Sequence, residues 1–166
     1  MAVATWQYRY FIAAPAAQIY AHLVEPTSYI GLSPLVISVA DITTGTDGDG
    51  RDFCRYVSVE RFHFLKWITY DNPIRVTTTF TQPDREMISE VDSRPGVHVQ
   101  FIFQFDPDST GTTAGTWVKE TITATTPSVL LNFTVSQAKA VQQARSGILK
   151  TRLEPLAAAL TAGAGR

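Results

Sequence analysis

The side chains able to move a proton or hold an oxyanion are few in this chain, and none falls in a catalytic motif. Arg55 and Tyr56 are neighbours in one alternating stretch, and Glu120 stands between Val118 and Ile122 in another. A fixed guanidinium stabilises negative charge developing on oxygen. A carboxyl group held away from water gives or takes a proton. Side chains alternate along a strand, so Arg55 and Tyr56 face opposite ways, and the sequence leaves open which of them faces inward. Glu120 faces inward if Val118 and Ile122 do, and burial there suits it to acid–base work. The alternative is a cross-strand partner on the outer face. If Arg55 and Glu120 share an interior, they form the polar end of a site. As an exposed pair across strands they are worth only ~0–1 kcal/mol.

The remaining reactive side chains carry less. His22, His63 and His98 lie on three different elements and form no metal-ligand pattern. His98 is expected to point outward, opposite Val97, Val99 and Phe101, whereas His63 near a strand end is a candidate for a cavity mouth. Cys54 is the single cysteine, which excludes an internal disulfide, and it reads as a small buried hydrophobe. The run Asp47-Gly-Asp-Gly-Arg-Asp52 fails as a calcium loop. Arg51 stands where the third acidic ligand belongs, and no glutamate follows at the right spacing. It reads as a hairpin turn. The chain has no phosphate-binding glycine loop, no Gly-x-Ser-x-Gly and no Cys-x-x-Cys. No metal and no cofactor is expected.

Composition narrows the class. A chain of 166 residues suits one domain, read here as 1–166 with 161–166 a flexible tail. Lys+Arg 14 against Asp+Glu 15 disfavours a general nucleic-acid binder. From Ser128 onward, five basic residues (Lys139, Arg145, Lys150, Arg152, Arg166) face one acid, Glu154. That excess reads as the solvated face of a helix, with a site for an acidic partner as the alternative. No secretory signal and no apolar run of ~20 residues is present, so a cytoplasmic protein without membrane insertion is expected.

These residues must be positioned by a particular order of elements. Trp6, Tyr8, Tyr10 and Ile12 alternate with Gln7 and Arg9, the pattern of a half-buried strand from Thr5 to Ala13. Pro15 opens a short helix with an Ile19, Tyr20 and Leu23 stripe, and Glu25-Pro26 stops it. A further short turn fits Thr27 to Leu32. Strands are then expected at 35–43, 53–64, 68–70 with 74–81 (split by Asp71-Asn-Pro73), 85–92, 97–105 and 116–126. Val97 to Phe105 is the cleanest period of two. No helix separates these strands, so an antiparallel meander is expected. Thr126-Pro127-Ser128 opens a last helix reaching about Leu160, with Ser128 as its hydroxyl cap and Pro155 kinking or dividing it. One helix cannot fill the concave side of a strongly curved sheet, so this order tends to leave a cavity.

Ile12-Ala-Ala-Pro-Ala-Ala-Gln-Ile-Tyr-Ala-His-Leu23, followed by Pro26-Thr-Ser-Tyr29, resembles the opening of the START-like superfamily, also described as Bet v 1-like or helix-grip. Gly50-Arg51 with Phe53 and the long last helix are similar to it as well. The polyketide cyclase/dehydrase branch is the nearest in pattern. The residue motif covers about the first thirty positions, and the element order nearly the whole chain. The resemblance implies an α+β fold. About seven antiparallel strands would wrap a long C-terminal helix, with two short helices after the first strand. It also implies a cavity between sheet and helix for a small hydrophobic ligand or polyketide intermediate. Some such proteins cyclise reactive poly-ketone chains, and others only bind or carry.

A cyclase must hold a flexible chain bent, remove a proton beside a carbonyl and stabilise the enolate. Arg55, Glu120 and Tyr29 are the candidates for those roles, with Tyr29 near the cavity mouth. Candidate walls are Trp67, Phe80, Met87, Phe101, Phe103 and Trp117, with Phe133, Gln137 and Val141 from the last helix. Plain core packing is the alternative reading for the aromatics.

Overall fold

The computed structural model describes residues 1–64, 68–108 and 114–163. Seven strands form one antiparallel sheet: β1 (Ala2–Ile12), β2 (Val36–Thr46), β3 (Asp52–Phe64), β4 (Ile68–Gln82), β5 (Glu86–Ser93), β6 (Val97–Asp108) and β7 (Gly115–Thr126). The spatial order is β1-β7-β6-β5-β4-β3-β2, so the meander closes by bringing its last strand beside its first. Helix α1 (Ala16–Val24) and a 3-10 turn at Pro26–Tyr29 follow β1. A 3-10 turn at Ser128–Leu130 leads into α2 (Leu131–Gly163).

Local sequence accounts for most of these boundaries. Pro15 precedes the first turn of α1 in extended backbone, and Glu25 ends that helix and accepts from Thr27 N–H. Three expectations are corrected. β4 runs unbroken through Asp71-Asn-Pro73. Its ladder to β5 ends at Arg75 with Asp92, so Pro73 lies where β4 has a partner on one side only, a position that tolerates proline. Pro127, not Ser128, holds the cap position, without a side-chain hydrogen bond, and the chain turns through 3-10 geometry from Ser128 before α2 begins. Pro155 does not divide α2. Leu153 and Ala157 are buried on either side of it, and Glu154 accepts from Ala13 N–H at 3.1 Å, so both flanks are held. α2 also continues through 161–163, three of the residues read as a tail, while 164–166 lie outside the described residues.

The core is lopsided. Ile12, Ile19, Leu23, Phe105, Leu149 and Leu153 belong to the main buried cluster, where α1 and the C-terminal half of α2 meet β1, β6 and β7. A smaller cluster of Cys54, Tyr56, Ile74 and Val76 lies under β3 and β4. The N-terminal half of α2 is not driven into the sheet, and Phe133 remains 45% exposed. Space is left between that half-helix and β3–β6.

Candidate functional site

Alternation on β1 and β7 turns Tyr10 and Glu120 inward beneath α2. Tyr10 Oη donates to Glu120 Oε1 at 2.6 Å. Gln142 Nε2 and Arg145 Nη2 on α2 donate to Glu120 Oε2 at 3.1 and 2.5 Å. All four side chains are buried. The Arg145 guanidinium also lies 5.3 and 5.0 Å from the ring centres of Phe101 and Phe103, within cation–π range. Burial works against its charge, but Glu120 and the nearby phenols outweigh that, and its pKa is raised. Arg145 Nε makes no hydrogen bond among the described residues.

Arg145 faces a cavity of about 420 Å³ between the N-terminal half of α2 and strands β3–β6. Val76, Val91, Val99, Phe101, Phe103 and Val141 give it apolar walls. Phe62 on β3 and Phe133 on α2 approach to 6.2 Å between ring centres and bridge helix to sheet. At the Arg145 end, the rings of Tyr29 and Tyr56 lie 6.4 Å apart. Burial pushes the Tyr29 hydroxyl up to about 12 and that of Tyr56 higher still, so both stay protonated at neutral pH. Farther along the same face of β3, Ser58 and Glu60 also line the cavity.

The structure places Phe101, Phe103, Phe133, Gln137 and Val141 around this space, and Tyr29, expected near the mouth, stands at the Arg145 end beside Tyr56. It removes others. Met87 is fully buried in the main core, and Phe80 packs on it with its ring 6.4 Å from Tyr20. Trp117 is on the outer face, because Val118 takes the inward position. Its ring carries the Arg9 guanidinium at 4.1 Å and its Nε1–H donates to Asp108 at 3.2 Å. Arg55 is also outside, exposed and 4.4 Å over the Phe53 ring, since Cys54 and Tyr56 take the inward positions of β3. Arg55 and Glu120 therefore do not meet. Trp67 lies outside the described residues.

Glu120 keeps its inward place but sits behind Arg145 rather than in the cavity lining. The basic excess of the last segment is not all solvated. Arg145 is buried, and Arg152 reaches the Ser28 carbonyl at 3.2 Å. His98 points outward to Asp92 at 2.8 Å, Cys54 is buried, and His63 is exposed beside Thr69 rather than in the lining. Arg51 fills its own acidic turn by bonding Asp47 and Asp49. Among the described residues no His/Cys/Asp/Glu group is arranged to hold a metal, and no helix is long and apolar enough to cross a membrane.

The sequence reading missed Tyr10, Gln142, Arg145 and Glu60. A signal existed for Arg145. It stands four residues after Val141 and four before Leu149, which places it on the apolar stripe of α2.

A curved seven-stranded antiparallel sheet, a long C-terminal helix across it and two short helical turns after the first strand define the START-like, Bet v 1-like helix-grip fold. Solved structures agree. A START superfamily protein from Mycobacterium smegmatis is 12% identical over 92% of this chain and 98% of its own, with a TM-score of 0.69. The di-domain ARO/CYC StfQ from the steffimycin biosynthetic pathway is 13% identical, with a TM-score of 0.66 over 94% of this chain and 52% of that one. Ara h 8.0201 is 11% identical, with a TM-score of 0.61 over 91% of this chain and all of its own (100%). No family model matches the sequence, and no curated protein does.

Proposed function

We propose that the chain binds a small hydrophobic molecule in the cavity beneath α2 and acts on it as a polyketide aromatase/cyclase-like enzyme. The observation that carries this reading is the convergence of Arg145, Tyr29 and Tyr56 at one end of an otherwise apolar space. A carrier needs little more than apolar walls, whereas enolate chemistry needs a fixed cation and a proton donor. Arg145 is that cation, held by Glu120 so that its position does not depend on the ligand. Tyr29, kept protonated by burial, is placed to donate to a carbonyl or enolate oxygen. Curvature of the walls would keep a flexible chain bent. One structural neighbour is itself described as an ARO/CYC from a biosynthetic pathway, and that supports the choice among START-like activities.

The second reading is a non-catalytic binder or carrier. It is favoured by the pairing of Arg145 with Glu120, which leaves the cavity little net charge at that end. Native mass spectrometry of the purified protein, looking for a co-purifying small molecule, tests binding. Turnover of a poly-β-ketone substrate by Tyr29→Phe then separates the readings. Loss of turnover with binding and folding intact supports the enzyme. Unchanged turnover removes Tyr29 from the chemistry and favours the carrier.

A further inference from the structure

We infer that Glu60 and Asn72 form a second, ligand-selecting pole of the cavity, which accepts a hydroxyl or amine at the far end of an apolar ligand and rejects a carboxylate or sulfonate there. This rests on the cavity reading proposed above. Glu60 occupies an inward position of β3 between Ser58 and Phe62, and stands opposite Asn72 in the β3–β4 register. It is four residues beyond Tyr56, or about 13 Å along the strand at ~3.3 Å per residue. Asn72 is buried, and its Nδ2 donates to Ser93 Oγ at 2.9 Å, which fixes the amide against the β5–β6 turn.

The Glu60 carboxyl has no hydrogen bond or ion pair among the described residues. Two of the cations nearest in the fold are already paired. Arg145 at the opposite pole is paired with Glu120. On β3 and β4, Arg61 bonds Asp71 at 2.7 Å on the outer face, where His63 also lies. Arg94 in the β5–β6 turn and Tyr70 on β4 complete the ionisable groups of the lining, together with the neutral Tyr29 and Tyr56. From α2, the facing residues Phe133, Thr134 and Gln137 do not titrate. Burial pushes the Glu60 carboxyl up to about 7, so it changes charge near neutrality. Once ionised, it is a half-buried acceptor to which no described residue donates. A ligand hydroxyl or amine relieves that, and an anion adds like-charge repulsion.

Two naphthalene probes of similar size test this: anionic 1-anilinonaphthalene-8-sulfonate and neutral N-phenyl-1-naphthylamine. Each is titrated into wild type and Glu60→Gln between about pH 6 and pH 8. The wild type is expected to lose affinity for the sulfonate by about tenfold across that range, following ionisation of a single carboxyl. Its affinity for the neutral probe stays flat. In Glu60→Gln the sulfonate binds equally well throughout. A flat sulfonate profile in the wild type, or the same fall in Glu60→Gln, overturns the selecting role while leaving the cavity reading in place. Failure of both probes to bind at any pH overturns both. If Glu60→Gln does not fold, Glu60→Ser gives the same comparison, and a fall that persists there overturns the selecting role.

Discussion

Arg145 Nη2 lies 2.5 Å from Glu120 Oε2, so the cation facing the cavity carries its counter-ion with it inside the protein. Removing one partner strands the other as an uncompensated buried charge. Glu120→Leu is expected to lose about 3–5 kcal/mol of stability. The double variant Glu120→Leu with Arg145→Met is expected to recover much of that loss, because two apolar groups of similar volume leave no charge unpaired. Urea unfolding midpoints of the single and double variants check it, and additive losses would contradict it.

Glu60 makes stability depend on pH. Its folded pKa, about 7, lies above its ordinary value of 4.5, so the folded state holds the proton more tightly than the unfolded chain does. Stability is therefore highest below pH 4.5 with respect to this group, and it is lost as pH rises towards 7. Glu60→Gln removes the titration. The variant is expected to gain on wild type by roughly 1–3 kcal/mol more at pH 8 than at pH 5. Thermal unfolding of both proteins at the two pH values measures the difference, and an equal gap at both would refute it.

Gly115 begins β7 where the backbone of β1 comes close. A Cβ there would stand 2.5 Å from the Ile12 carbonyl oxygen and press on the Phe11 ring. The carbonyl belongs to the strand and cannot swing aside. Gly115→Ala is expected to cost about 1–3 kcal/mol by forcing β1 and β7 apart. Amide exchange should then quicken along the Ile12–Thr116 end of the ladder before it does in β3 and β4.

Arg55 offers the contrasting case. It is exposed on the outer face over Phe53, away from the cavity. Arg55→Ala is expected to change stability by no more than ~0.5 kcal/mol. Neutral-probe affinity should match wild type, and a large drop in it would mean that the outer face communicates with the cavity.

The sequence by itself determined the element order. Period-two alternation is a local property, so β1, β3, β6 and β7 are legible residue by residue in stretches such as Val97 to Phe105. Pro15 and Pro26 mark helix ends through backbone geometry that needs no neighbour. Several cavity walls followed once the fold was known, since Phe101, Phe103, Phe133 and Val141 lie on faces that alternation and helical spacing define. Tertiary structure alone decided which strand face is concave. That choice put Tyr56 and Glu60 inside and Arg55 and Trp117 outside, because a one-residue difference reverses every side chain on a strand. It also decided partners. Glu120 meets Arg145, 25 residues on in the sequence, rather than Arg55, because α2 crosses β7 where its apolar stripe contains an arginine. The sequence shows a cation on that stripe, but the pairing that makes its burial tolerable exists only when helix and sheet are packed together.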